Sequence, residues 1–187
     1  MSDKESIRRS IRAMLPLPPD LRGEKSARLC EAIMTSAVWR NARTAVVFAA
    51  QAREPDVEML WAHAADRIIG YPRVEGERLG LYAVASPFEL RSGRWGLREP
   101  AGDPSRAVAP DAVDLILVPG IAFTRAGARL GRGGGYYDRL LGGLPPSVCK
   151  IGVCFDAQIL PVLPVESHDR HVDFVATESG MFSTSSP

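Results

Sequence analysis

Residues 114–141, DLILVPGIAFTRAGARLGRGGGYYDRLL, contain a strand, a loop and a helix start in succession, and the remainder of the chain can be interpreted around them. The apolar run 115–118 predicts a buried strand that Pro119-Gly120 ends. The segment 136–141 predicts the start of a helix. The region between them is rich in glycine and therefore predicts a loop.

This loop has the composition of an anion-binding site, with glycine at 131, 133, 134 and 135 and arginine at 129 and 132. Glycines allow backbone N–H groups to converge on an anion, because no Cβ blocks the approach. The following helix would add its positive N-terminal end, and arginine forks match phosphate geometry. Asp138 would offer a carboxylate for Mg²⁺ beside the phosphates. The pattern therefore predicts a nucleotide-phosphate site.

Two other interpretations of the glycine cluster remain open. It could be only a mobile loop, or an Arg-Gly-Gly element of an RNA-binding tail. Its position between two apolar segments argues against a tail. The loop matches neither the P-loop nor the GxGxxG pattern, so its class of ligand does not follow from those motifs.

The composition favours one compact domain. The chain has 187 residues, 45% apolar and 24% charged, with a formal net charge of +1. We expect a single α/β domain over 1–187, with a frayed tail at 179–187. The near-neutral charge argues against nucleic-acid partners and against electrostatic attachment to a membrane.

Cysteine usage and the N-terminus point to the cytoplasm. The three cysteines are odd in number and lack CxxC spacing, which favours a reducing compartment over a disulfide framework. The charged N-terminus does not resemble a secretory signal, and no apolar run is long enough to cross a bilayer. We expect a cytoplasmic monomer that binds small molecules.

Strand and helix patterns alternate along the chain. Helical periodicity occurs at 3–14, 24–38 and 56–66, and strand patterns occur at 44–50, 68–72, 79–84, 115–118 and 150–155. The segment 86–113 is polar and irregular. Alternation of this kind predicts an α/β fold, a three-layer sandwich with a mostly parallel central sheet flanked by helices.

The segment PGIAFTRAGARLGRGGGYYDR (119–139) resembles the signature of the 5-formyltetrahydrofolate cyclo-ligases, also called methenyltetrahydrofolate synthetases. The resemblance extends over about residues 4–178. Thr124 stands where the family usually has aspartate, which we interpret as a local loop-capping change. The fold that the family implies is the same three-layer α/β architecture.

The resemblance implies a role for each candidate residue. ATP would be bound by the N-terminal pair and the glycine loop, namely Lys4, Arg8, Arg129, Gly131, Arg132, Gly133, Gly134, Gly135, Tyr136 and Tyr137. The folate would be bound by Glu54, which holds the pterin ring, with Ala49, Trp95 and Tyr136. Mg²⁺ would be held by Asp138 and Asp173, and the catalytic residues would be Arg132 and Tyr136.

Several of these residues also have ordinary structural explanations. Lys4 and Arg8 lie one helical turn apart and could form a solvated face. Glu54 precedes Pro55 and could be a carboxylate at a helix start. Trp95 could anchor its loop. His168 and His171 lie three residues apart, but a metal pair without a third credible ligand is disfavoured.

The implied activity is ATP-dependent conversion of 5-formyltetrahydrofolate to 5,10-methenyltetrahydrofolate, with release of ADP and phosphate. The alternative is a non-catalytic regulatory module that binds a phosphometabolite on a similar α/β scaffold. Such a module would keep the anion loop but would need neither the metal carboxylates nor Glu54. The presence of all three favours the enzyme.

Overall fold

The structure, a computed structural model, describes residues 4–64 and 67–184. The helices are α1 (Lys4–Met14), α2 (Pro19–Met34), α3 (Ala37–Asn41) and α4 (Tyr136–Gly143). The strands are β1 (Thr44–Val46), β2 (Ile68–Glu75), β3 (Arg78–Val84), β4 (Arg91–Ser92), β5 (Arg98–Glu99), β6 (Leu115–Pro119), β7 (Ala122–Phe123), β8 (Arg129–Leu130), β9 (Cys149–Val153), β10 (Phe174–Thr177) and β11 (Gly180–Ser183).

A seven-stranded sheet organises the chain, in the order β11-β10-β9-β6-β1-β2-β3. Its five inner strands are parallel, whereas each edge strand pairs antiparallel with the strand that it adjoins in sequence. The strands β4 with β5 and β7 with β8 form two small separate ladders. The predicted mostly parallel α/β fold is confirmed.

Alternation along the inner strands divides the core between the two faces of the sheet. Ala45, Leu115 and Leu117 pack with α2 and α3 on one face. Ile116 and Val118 point to the other face, where the residues of α4 cover them. Because both faces are covered, the inner strands are apolar throughout, as parallel strands usually are.

The second helix begins earlier than the sequence predicts. Its observed start is Pro19, because proline fits the first turn of a helix, where its missing N–H is not needed. The helix also ends earlier, at Met34, and a new helix starts after Ser36. The Ser36 hydroxyl accepts the Trp39 backbone N–H at 3.1 Å and caps α3.

The α-helix predicted at 56–66 is wrong. Glu58–His63 forms a 3-10 helix instead, and residues 65–66 lie outside the described residues. Val57 and Leu60 are both buried, and a spacing of three residues suits the tighter helix, in which every third side chain is aligned. The strand predicted at 44–50 forms ladder bonds only over β1, and the strand predicted at 68–72 continues through Pro72 to Glu75.

The tail predicted to be frayed is ordered over much of its length. Residues 180–183 form β11, which pairs antiparallel with β10, so the prediction is wrong there. Residues 185–187 lie outside the described residues. None of the helices in the described ranges is both long enough and apolar enough to cross a membrane.

Two glycines test how tightly the inner sheet is packed. A Cβ on Gly152, in β9, would lie 2.5 Å from the fully buried Phe123 ring. We expect Gly152→Ala to lower the free energy of unfolding by about 1–3 kcal/mol through overpacking. In the control Gly23→Ala, within α2, the new Cβ meets nothing within 4 Å, so helix propensity should raise stability by about 1 kcal/mol. Urea denaturation measures both, and equal shifts would contradict this account.

Candidate active site

A cavity of about 750 Å³ lies where β1 and β6 end, at the carboxyl edge of the parallel strands. Ligands of open α/β sheets collect at this edge. Every site residue predicted from the sequence except Asp173 lines this main cavity, namely Lys4, Arg8, Ala49, Glu54, Trp95, Arg129, Gly131, Arg132, Gly133, Gly134, Gly135, Tyr136, Tyr137 and Asp138.

The glycine loop runs from β8 to α4 along one wall of the main cavity. Gly133 has φ 103° and Gly135 has φ 67°, conformations that other residues adopt only with strain. Gly135 is the residue from which α4 starts, so the left-handed turn sets the direction of the helix. From α1, Arg8 donates through Nε to the Gly131 carbonyl at 3.0 Å and thereby joins the N-terminal helix to the loop.

Arg129 and Asp138 form an ion pair across the base of the loop. The Nη2–Oδ1 distance is 2.6 Å, and the side chains are 3% and 17% exposed. Arg129 Nε is buried and has no hydrogen-bond partner among the described residues. The pair holds Asp138 at the cavity, and no described residue hydrogen-bonds its Oδ2, which leaves that oxygen free for a further ligand.

Arg132 extends from the loop to Glu54, on the opposite wall. The Arg132 Nη2–Glu54 Oε1 distance is 2.6 Å, and Arg132 also donates to the Gln51 side chain. The other Glu54 oxygen accepts the Gln51 backbone N–H at 2.9 Å. Glu54 lies in a turn before a 3-10 helix that starts only at Glu58, so it is not the first-turn carboxylate of an α-helix.

The N-terminal helix is fixed to the cavity by charge. Lys4 Nζ lies 2.8 Å from Asp169 and 3.0 Å from Glu166. Burial acts to lower the pKa of Lys4, but the hydrogen bonds to these carboxylates outweigh it and raise the pKa. The side chains of Lys4 and Arg8 are only 19% and 15% exposed, so they do not form an ordinary solvated face.

Trp95 lies on the loop between β4 and β5, at the mouth of the main cavity. Its φ of 57° is unusual for a residue other than glycine, and the residue is 61% exposed. Its ring meets Tyr136 edge-on at 5.7 Å, and the Arg94 guanidinium lies 4.4 Å from the Trp95 ring centre. A side chain this exposed is not a buried loop anchor.

Tyr136 and Tyr137 start α4 in different environments. The Tyr136 hydroxyl donates to the Gly76 carbonyl at 3.2 Å, across the cavity mouth. Tyr137 is turned inward, and burial, followed by the charge of Glu54, raises the pKa of its phenol. Tyr137 is therefore neutral at physiological pH and acts as an uncharged part of the wall.

Asp173 is not brought to Asp138. It immediately precedes β10, at the amino edge of the sheet, where it accepts the Lys150 backbone N–H at 2.8 Å. Because the cavity lies at the carboxyl edge, the two carboxylates predicted to share Mg²⁺ lie on opposite edges. Among the described residues, no group of three or more His, Cys, Asp or Glu side chains has an arrangement that could hold a metal ion.

The sequence reasoning missed Asp169. This residue lines the main cavity with Glu166 and His168, whereas His171 does not. The signal was its position in the segment HDRHVD (168–173), which contains two carboxylates four residues apart, only one of which could face the site. Burial acts to raise the pKa of Asp169, and the hydrogen bonds from Lys4 and the Glu166 backbone N–H lower it overall.

The fold and the cavity define an α/β enzyme in which an anion-binding glycine loop faces a second, carboxylate-bearing wall. A family model for the 5-formyltetrahydrofolate cyclo-ligase family matches residues 1–178. The chain belongs to this family. The comparisons described next favour the catalytic interpretation over the regulatory one.

Relatives and a solved structure agree with the family. A 5-formyltetrahydrofolate cyclo-ligase of Mycolicibacterium smegmatis is 41% identical over 91 residues, which are 49% of this chain and about half, 47%, of that protein. The Escherichia coli K12 protein of the same name is 32% identical over 92% of this chain and 97% of its own length. The solution structure of Aquifex aeolicus 5,10-methenyltetrahydrofolate synthetase has a TM-score of 0.86 and 30% identity, covering 98% of this chain and 94% of that one.

The contact between Lys4 and Asp169 can be tested directly, because the chain has only three lysines. We expect Asp169→Asn to lower the pKa of Lys4, since the carboxylate that stabilises the ammonium form is removed. Nuclear magnetic resonance of isotope-labelled lysine would measure it, with Lys25 and Lys150 as internal references. An unchanged Lys4 titration would mean that Asp169 does not hold this ammonium group in solution.

Proposed function

We propose that the chain is an ATP-dependent cyclo-ligase that converts 5-formyltetrahydrofolate to 5,10-methenyltetrahydrofolate, with release of ADP and phosphate. The observation that carries the proposal is the Arg132–Glu54 contact. It joins the anion-binding loop to the carboxylate wall within one cavity, so two different substrates can meet there. A phosphometabolite sensor would need only the loop.

The chemistry requires activation of a poor leaving group. Transfer of the γ-phosphoryl group of ATP to the formyl oxygen makes an imidate-like phosphate and releases ADP. N10 of the folate then attacks the activated carbon, and the C–O bond breaks as phosphate departs with the formyl oxygen. The protein's task is to position the reactants and neutralise charge, and no side-chain nucleophile is needed.

The phosphates of ATP are assigned to the glycine loop and the cations beside it. Lys4 and Arg8 bring positive charge from α1, and the backbone of residues 131–135 offers N–H donors. Arg129 is committed to Asp138, so it acts mainly by keeping that carboxylate in place. Tyr137 packs below the Arg129 guanidinium, whose carbon is 5.8 Å from the ring centre.

The donor set fits Mg²⁺ bound largely through phosphate. Proteins usually hold this ion with one or two carboxylates together with substrate phosphates and water. Asp138 can give its free oxygen, and the second carboxylate of the cavity is Asp169 rather than Asp173. When bound, the ion would neutralise charge on the transferring phosphoryl group.

The folate is assigned to the opposite wall. Glu54 can accept two hydrogen bonds from the N–H and amino groups at the pterin edge. Ala49 lies beside it, and Trp95 with Tyr136 closes the mouth over the ring system. Arg132 would leave Glu54 when the pterin binds and turn to the phosphoryl group, so we assign it and Tyr136 as the catalytic residues.

Reduced folate and ATP are the partners that this proposal requires. The monomeric state and the cytoplasmic location predicted from the sequence stay predictions.

An absorbance assay on the purified chain tests the reaction itself. We expect the absorbance band of the methenyl product to grow with 5-formyltetrahydrofolate only when Mg-ATP is present, with one ADP formed for each product. A chain that binds both ligands but forms no product would refute the enzyme and favour the regulatory module.

Asp138→Asn tests the metal assignment. The substitution keeps a hydrogen-bond acceptor for Arg129 but removes the charge, so Mg-ATP affinity should fall roughly tenfold to hundredfold. Asp173→Asn is the matched control and should leave this affinity unchanged, because Asp173 lies at the other edge of the sheet. Calorimetry with and without Mg²⁺ measures both, and melting temperatures report any loss of fold. Equal losses in the two variants would contradict the assignment.

Glu54→Gln separates the two substrates. Replacing one acceptor oxygen with a donor should weaken folate binding roughly tenfold to hundredfold, because a charge-assisted hydrogen bond is lost. Mg-ATP binding should change little. Glu58→Gln, a nearby exposed carboxylate paired with Arg98, serves as the control. Folate affinity within about twofold of wild type, measured by titration, would remove Glu54 from the pterin site.

A further inference from the structure

A second cavity lies on the far side of the glycine loop from the main cavity. Its volume is about 870 Å³, and it is lined by Arg78 at the start of β3, Arg139 on α4 and Arg170 before β10. We call it the basic groove. None of the sequence motifs or roles described above accounts for these three arginines.

The basic groove carries uncompensated positive charge. None of the three arginines forms an ion pair with another described residue, and all three are exposed. Arg139 is held by carbonyl groups instead, donating to Glu77 at 2.8 Å and Gly134 at 2.9 Å. The one carboxylate among the lining residues is Asp138, whose charge Arg129 already balances. The groove therefore suits an anionic ligand.

The basic groove is continuous with the main cavity. Leu79 and residues 133–135 line both spaces. On the side of the main cavity, Leu79 adjoins an apolar wall that includes Val74 and Trp95. A ligand bound at Glu54 could thus run along this wall and emerge among the arginines.

One anionic part of the substrates has not yet been assigned a partner. The phosphates of ATP already have Lys4 and Arg8 in the main cavity. The folate, however, carries two glutamate carboxylates, which its benzoyl ring separates from the pterin. We infer that the basic groove binds this glutamate tail, together with any further glutamates joined through the γ-carboxyl group. The inference rests on the proposed function and extends it to the far end of the substrate.

The match is chemical as well as spatial. The pterin is placed at Glu54, the flat apolar ring along the Leu79 wall, and the carboxylates at guanidinium groups, which bind carboxylates with two parallel hydrogen bonds. Each added glutamate contributes one more negative charge to a groove with three arginines. Affinity should therefore rise with tail length, and the rise should shrink at high salt, because exposed charges are screened.

Three substrates test the inference: 5-formyltetrahydrofolate with one glutamate, the same compound with several γ-linked glutamates, and 5-formyltetrahydropteroate, which has none. The variants Arg78→Gln and Arg170→Gln remove charge without touching the glycine loop, and Arg28→Gln on α2 is the control. Each groove variant should raise the KM of the monoglutamate about twofold to fivefold, and that of the longer form more. The KM of the pteroate, the KM of ATP and kcat should stay unchanged.

Other outcomes overturn the inference in distinguishable ways. A rise in the KM of ATP alone would assign the groove to the nucleotide. Equal effects on all three folates would mean that the arginines only support the fold. If the wild-type chain turns over none of them, the proposed function fails. Calorimetric binding of the long-tailed and tail-free compounds to wild type and Arg78→Gln then decides the groove separately, and equal affinities would overturn it.

Discussion

The buried pair of Arg129 and Asp138 is the interaction on which the site depends. Two charges removed from water are stable only when each compensates the other, and removing one partner of such a pair costs about 3–5 kcal/mol. The pair joins β8 to the first turn of α4, 2.6 Å apart, and so fixes both ends of the glycine loop. The loop itself has few side chains to hold it. Its shape is therefore imposed from its base rather than by its own packing.

Fixing the loop also fixes what it contacts. Gly131 presents its carbonyl to Arg8, which brings α1 and, with it, Lys4 against the cavity. One residue further on, Arg132 reaches the carboxylate after β1. Elements far apart in sequence thus meet around five loop residues. The sheet supplies the rigid frame, and the loop determines which side chains from α1, β1 and α4 face one another.

The sequence predicts best those features that local chemistry determines. The apolar run 115–118 and the glycines that follow it are a strand and a loop in any α/β context, and the alternation of patterns is sufficient for a mostly parallel sheet. The start of α2 at Pro19 and the 3-10 turn at Glu58–His63 were missed because both depend on packing against neighbouring elements.

The choice between Asp169 and Asp173 shows the same limit at the site. The two residues lie four apart in a segment without periodicity, and both are carboxylates, so composition cannot separate them. Their positions depend on where β10 begins to pair with β9, which is a long-range property of the sheet. Because Asp173 lies immediately before that pairing, it stays at the amino edge.

The Arg132–Glu54 contact also links the two substrates energetically. Both Glu54 oxygens are occupied, one by Arg132 and one by the Gln51 backbone N–H, so a pterin that needs two acceptors must displace the guanidinium. A displaced arginine in a partly dry cavity needs a new negative partner. On the proposed function, the phosphates of ATP are that partner. Each substrate then favours the binding of the other, and by linkage the coupling is equal in both directions.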